Sequence, residues 1–121
     1  MRSFPLAIAL AASLSGASFA NAAQPAFVGT WGRDAAQCAV PQELQGAPMV
    51  FAKDRYDQHE AHCSFSKVSG KAPGWKISAS CLVEGDRQAF DFRLSVHGEA
   101  LTMTDEFGKQ ILKRCKSSAG N

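Results

Sequence analysis

Two stretches, Ala61-His62-Cys63-Ser64-Phe65 and Trp75-Lys76-Ile77-Ser78-Ala79-Ser80-Cys81-Leu82-Val83, decide how this chain folds. In both, the apolar residues take the odd positions: Ala61, Cys63 and Phe65, then Trp75, Ile77, Ala79, Cys81 and Val83. The even positions carry His62, Ser64, Lys76, Ser78 and Ser80, with Leu82 the exception. Alternation with period two marks half-buried β-strands. Setting Cys63 opposite Cys81 also sets Phe65 opposite Ala79 and Ala61 opposite Val83, and leaves Gly70–Gly74 as the connecting loop. A loop of that length does not fix a register, so the cysteines and the alternation must. Facing Cα atoms in an antiparallel pair lie about 4.5–5.5 Å apart, which suits a disulfide.

The same parity carries through the following turns. Gly85-Asp86 as the central pair of Glu84-Gly85-Asp86-Arg87 suits a hairpin turn, because glycine accepts the positive φ. It brings Phe90, Phe92, Leu94 and Val96 onto the face that carries Ile77, Ala79 and Cys81. His97-Gly98-Glu99-Ala100 repeats the device, setting Val96 against Leu101 and Leu94 against Met103, with Asp91, Arg93, Ser95, Thr102 and Thr104 facing water. Around Glu106-Phe107-Gly108-Lys109 two registers stay open: a two-residue turn faces Leu112 and Arg114 inward, and a bulge at Gly108 turns in Ile111 and Cys115 instead.

Upstream, Phe27-Val28-Gly29-Thr30-Trp31 reads as a strand and Asp34-Ala35-Ala36-Gln37 as a capped helical turn leading to Cys38. Pro41, Gly46 and Pro48 mark an irregular connection before Met49–Ala52 and a further strand from Arg55. Seven or eight short strands in one chain must close on themselves or cover their edges. The expected fold is all-β: a small antiparallel up-and-down β-barrel with two disulfides. With Cys63 and Cys81 paired, Cys38 and Cys115 pair by elimination.

Residues 1–22 read as a signal peptide: Arg2, an apolar run from Phe4 to Leu14, then Ala20-Asn21-Ala22 as the cleavage site. The apolar run is too short to span a bilayer. The expected organisation is a signal peptide over 1–22, a barrel domain over 23–116 and a flexible tail over 117–121. Four cysteines behind an export signal read as a disulfide frame in an oxidising compartment, periplasmic or secreted. No two of them stand as Cys-x-x-Cys, the spacing a zinc site favours.

The formal net charge of the whole chain is only +2. No basic run is interleaved with aromatics, so the linear sequence carries no electrostatic footprint for nucleic acid. His59-Glu60-Ala61-His62 is not the H-E-x-x-H zinc motif, and on a strand the two histidines would face opposite sides. His59 with Asp57 is the better pair, but two ligands do not make a site. No G-x-S-x-G elbow occurs, and Asp91, Asp105 and Glu106 fall on turns or outward faces. The reading is therefore non-catalytic, with no cofactor and no metal. Tyr56 and Trp75, near strand ends, are the candidate binding rim, and the remaining aromatics serve the core.

Gly29-Thr30-Trp31 resembles the G-x-W signature of lipocalin-like (calycin) barrels. That resemblance implies that Trp31 closes one end of the barrel beneath an arginine of the last strand, the place held here by Arg114, with Gly29 and Trp31 completing the closure. The chain also resembles small uncharacterised periplasmic proteins of proteobacteria, through Cys38, Cys63-Ser64-Phe65, Trp75 through Cys81, and Arg114-Cys115. It is similar, too, to the Inh family of periplasmic metalloprotease inhibitors, whose N-terminal segment enters the protease cleft. The matching stretch is Ala23-Gln24-Pro25-Ala26-Phe27. The expected function is binding of a small apolar ligand or an envelope protein, with Inh-type inhibition as the alternative.

Overall fold

The computed structural model describes residues 24–116. The proposed signal peptide and the 117–121 tail lie outside the described residues. Eight strands run in chain order: β1 (Gly29–Gly32), β2 (Met49–Phe51), β3 (Arg55–Gln58), β4 (Ala61–Lys71), β5 (Gly74–Val83), β6 (Asp86–His97), β7 (Ala100–Asp105) and β8 (Gly108–Arg114). One short helix, α1 (Ala35–Cys38), follows β1. Each strand pairs antiparallel with the next, and β8 returns to β1 to close the barrel. Closure removes the free sheet edges that an open meander would expose. The seam is brief, with Trp31 opposite Arg114 and Gly32 opposite Lys113.

The decisive register is the expected one: Cys63 faces Cys81, Phe65 faces Ala79 and Ala61 faces Val83. Cys63–Cys81 and Cys38–Cys115 are both disulfides. Val96 faces Leu101 and Leu94 faces Met103, again as the parity required. Asp34 caps α1 by accepting a hydrogen bond from the Gln37 amide at 2.8 Å.

Two local readings are corrected and one open alternative is settled. The Gly70–Gly74 stretch is not a five-residue loop: β4 runs to Lys71 and β5 starts at Gly74, leaving Ala72-Pro73 as the turn. A register shift between Phe65 and Lys67 absorbs the extra residue. The Ser66 hydroxyl donates to the Ser78 carbonyl there at 3.1 Å. Beyond this bulge the parity of β4 inverts, so Lys67, Ser69 and Lys71 face outward rather than into the barrel. At the next turn the central pair is Glu84-Gly85, not Gly85-Asp86, since Val83 faces Asp86. Glu84 and Gly85 both have positive φ, 50° and 88°, which fits a type I′ hairpin. The inward face survives, because the pairing slips by one residue on each strand. The last turn settles the open alternative: Asp105 faces Gly108 and Leu101 faces Leu112, so Leu112 is buried and Ile111 faces out.

The interior is filled rather than hollow. Phe27, Phe51, Tyr56, Phe65, Trp75 and Phe92 form a continuous aromatic network with ring centroids 5.1–6.5 Å apart. Edge-to-face contacts dominate, as the ring quadrupoles favour. Leu94, Leu101, Leu112 and Ile77 complete the core.

Candidate functional site

One end of the barrel is built around Trp31 and Arg114. The Arg114 guanidinium lies over the Trp31 ring, its carbon 4.2 Å from the ring centroid. Its Nη1 donates to the Val28 carbonyl at 3.0 Å and its Nη2 to the Ala26 carbonyl at 2.9 Å. Its Nε lies 3.4 Å from the Glu99 carboxylate. From below, Trp31 Nε1 donates to the Phe27 carbonyl at 2.8 Å. Gly29 has φ +145°, and a Cβ there would come within 2.6 Å of Arg114 Nη1. The spacing of Gly29, Trp31 and Arg114 is thus a steric and electrostatic unit: glycine leaves room for the guanidinium over the indole. It fastens the Ala26–Val28 segment to the last strand.

The segment matched to the inhibitors' cleft-entering arm is drawn into this closure. Phe27 is fully buried and packs on Trp75 at 5.1 Å, while the Ala26 carbonyl is held by Arg114. Ala23 lies outside the described residues.

Tyr56 and Trp75 are both placed in the core, each 7 % exposed, rather than at an open mouth. Tyr56 stacks on Phe51 at 5.1 Å. Burial, with a smaller contribution from Asp105, raises the Tyr56 hydroxyl above the ordinary tyrosine range. Trp75 lies beneath a groove on the outer surface of β5–β7.

On the opposite outer face, Asp57 is paired with His62 and Arg55, not with His59. Asp57 and His62 are cross-strand partners, with His62 Nδ1 2.8 Å from Asp57 Oδ1. His59 sits in the β3–β4 turn at φ 44°. Partial burial would push the Asp57 carboxyl up, but hydrogen bonds from His62 and Arg55, with their charges, outweigh it and hold it below the usual carboxylate range. Among the described residues no group of three or more His, Cys, Asp or Glu is placed to hold a metal ion.

Sequence reasoning missed two surface features. Phe107, at the tip of the β7–β8 turn, is 80 % exposed, and Ile111 on the outer face of β8 is 59 % exposed. Neither is marked by alternation, because turn tips and outward strand positions carry no periodic signal. The second is a set of basic residues scattered in sequence and gathered on one face by the strand parity. The closed eight-strand antiparallel barrel is compatible with a lipocalin-like architecture. No protein-family model, curated protein or solved structure matches the chain. The two disulfides fit a protein outside the reducing cytoplasm.

Proposed function

We propose that this is an exported, non-catalytic interaction protein of the periplasm or extracellular space, its signal peptide cleaved near Ala22, which binds an envelope protein through its outer surface. The observation that carries the reading is the filled interior. The aromatic network occupies the space that a lumenal ligand would need, so recognition falls to the exterior. Of the exterior apolar groups, Phe107 is the most exposed, and Ile111 lies further along the strand that leaves its turn. Lys109 and Lys113 flank Ile111 on the same face of β8. A large aromatic held at a rigid turn is the kind of anchor that fills a pocket on a protein partner. The partner that fits presents an apolar recess with acidic groups on the side that meets Lys109 and Lys113 and basic groups toward Glu106 and Asp91.

A photo-crosslinking residue at position 107, expressed in the native envelope, tests this. One discrete adduct that disappears with Ile111→Asp supports the reading. Diffuse labelling, or co-purification of a small apolar molecule in native mass spectrometry, overturns it.

A further inference from the structure

Directly opposed residues place Ser69, Lys76, Arg93, Thr104 and Lys109 in one row across the outer face of β4–β8. Lys76 and Arg93 therefore face each other on adjacent strands. Like charges in that position destabilise a sheet, and here no carboxylate lies within ion-pair distance of either. The ion pairs among the described residues are Arg55–Asp57, His62–Asp57 and Arg114–Glu99, none involving Lys76 or Arg93. The next row continues with Lys71, Gly74, Ser95 and Thr102. The two rows border a groove of about 510 Å³ to which Ser69, Ser95, Thr102 and Thr104 contribute hydroxyl-bearing residues and Lys76 and Arg93 the charge. Gly74 contributes no side chain, which leaves the floor low at the centre.

The bulge after Phe65 takes part in this surface. Because it inverts the parity of β4, Lys67 and Lys71 join the same outer face instead of entering the core. Lys113 adds a further cation on β8. The opposing charges are Asp91, opposite Ser78, with Asp105 and Glu106; they line the adjoining recess toward the β7–β8 turn, whose other wall is Lys76 and Arg93. The cations of the row, Lys76, Arg93 and Lys109, span about 14 Å across three strand spacings.

We propose that this groove binds a linear polyanionic glycan bearing sulfate or phosphate groups. Opposed cations match successive anionic substituents, and the hydroxyl side chains both donate to and accept from sugar hydroxyls. The groove has no exposed aromatic platform, since Trp75 is buried beneath it. Single-stranded nucleic acid, which relies on base stacking, fits it less well. The site adjoins the Phe107 contact proposed above and shares Lys109 with it, but its test rests on Lys76 and Arg93 and does not depend on that reading.

The probe is a size-defined heparin octasaccharide titrated against the intact disulfide-bonded protein at low ionic strength (~50 mM). Binding is read by amide shifts of Ser95, Thr102 and Thr104, with the summed fluorescence of Trp31 and Trp75 as a second signal. The expected result is saturable binding that weakens with salt and falls at least about tenfold in Lys76→Gln/Arg93→Gln. Arg87→Gln, at the other end of the β5–β6 ladder beside Ser80, should bind as the wild type does. Near-UV circular dichroism confirms that both variants keep their packing. Absence of binding, equal loss in Arg87→Gln, or no loss in the double variant overturns the site. Equal or tighter binding of single-stranded DNA or of anionic phospholipid vesicles overturns the glycan assignment.

Discussion

Arg114 lies over Trp31, 4.2 Å from guanidinium carbon to ring centroid, across the only strand pairing that closes the barrel among the described residues. The contact combines a cation–π interaction with charge-assisted bonds to two carbonyls from the segment ahead of β1. Arg114→Ala should therefore cost about 2–4 kcal/mol, measured by urea unfolding. Gly29→Ala should be destabilising as well, through the clash with Nη1 rather than loss of a contact. Wild-type midpoints in both variants would refute the closure as described.

The single tyrosine makes burial of Tyr56 directly observable. A pKa raised in the folded state contributes stability that is complete below the unfolded value, about 10, and is lost as pH rises through the folded value. Tyrosinate absorbance should therefore appear only above pH ~10 and coincide with loss of near-UV signal. Asp105→Asn should shift that onset slightly downward, since Asp105 is the smaller of the two causes.

Asp57 carries the opposite sign. Its folded pKa is depressed, so its contribution is present above the unfolded value of about 3.9 and is lost as pH falls toward the folded value. The wild type should lose stability through that acid window, and Asp57→Asn should show a flatter acid limb in urea midpoints taken between pH 7 and pH 3.

The two disulfides should contribute unequally. Closing loops with separations of 18 and 77 residues constrains the unfolded chain by about 3 and about 4.5 kcal/mol. Cys38→Ala/Cys115→Ala should thus be the less stable double variant at equal core damage. Cys63→Ala/Cys81→Ala removes buried sulfurs as well, so calorimetry on both, with single-chain refolding yields, separates loop entropy from packing.

At the β5–β6 turn, Glu84 holds a left-handed conformation that a carboxylate side chain tolerates poorly. Glu84→Asn, followed by Gly85, supplies the favoured type I′ pair and should stabilise the protein by about 0.5–1 kcal/mol. A destabilised Glu84→Asn would argue for the Gly85-Asp86 turn instead.

That turn also marks where sequence reading reaches its limit. Parity is robust, because moving a two-residue turn by one position slips both strands together and leaves Ile77, Phe92 and Leu94 on the same face. The particular neighbours are not robust: Ile77 faces Phe92 rather than Leu94. The disulfide register was legible for a firmer reason, since Cys63 and Cys81 can bond only when opposed. The Phe65–Lys67 bulge was not legible from Gly-Lys-Ala-Pro-Gly, which looks like loop sequence. A sharper signal was nearby: without an inversion, Lys67 and Lys71 would be driven inward. Tyr56 and Trp75 look like rim residues from their positions near strand ends, but Phe51 stacks on Tyr56 and Phe27, from the segment ahead of β1, packs edge-on against Trp75. The basic face was invisible for the complementary reason, because its members come from four strands and never adjoin in sequence.

The Cys38–Cys115 bridge has a mechanical consequence. If the protein is tethered by its two ends, tension passes through the sulfur atoms and bypasses β2 to β8, which lie between them in the chain. Only the stretch ahead of Cys38 can be drawn out. Under load the first structure to peel is therefore β1 with Trp31, while the other seven strands stay inside a covalent ring that force cannot lengthen.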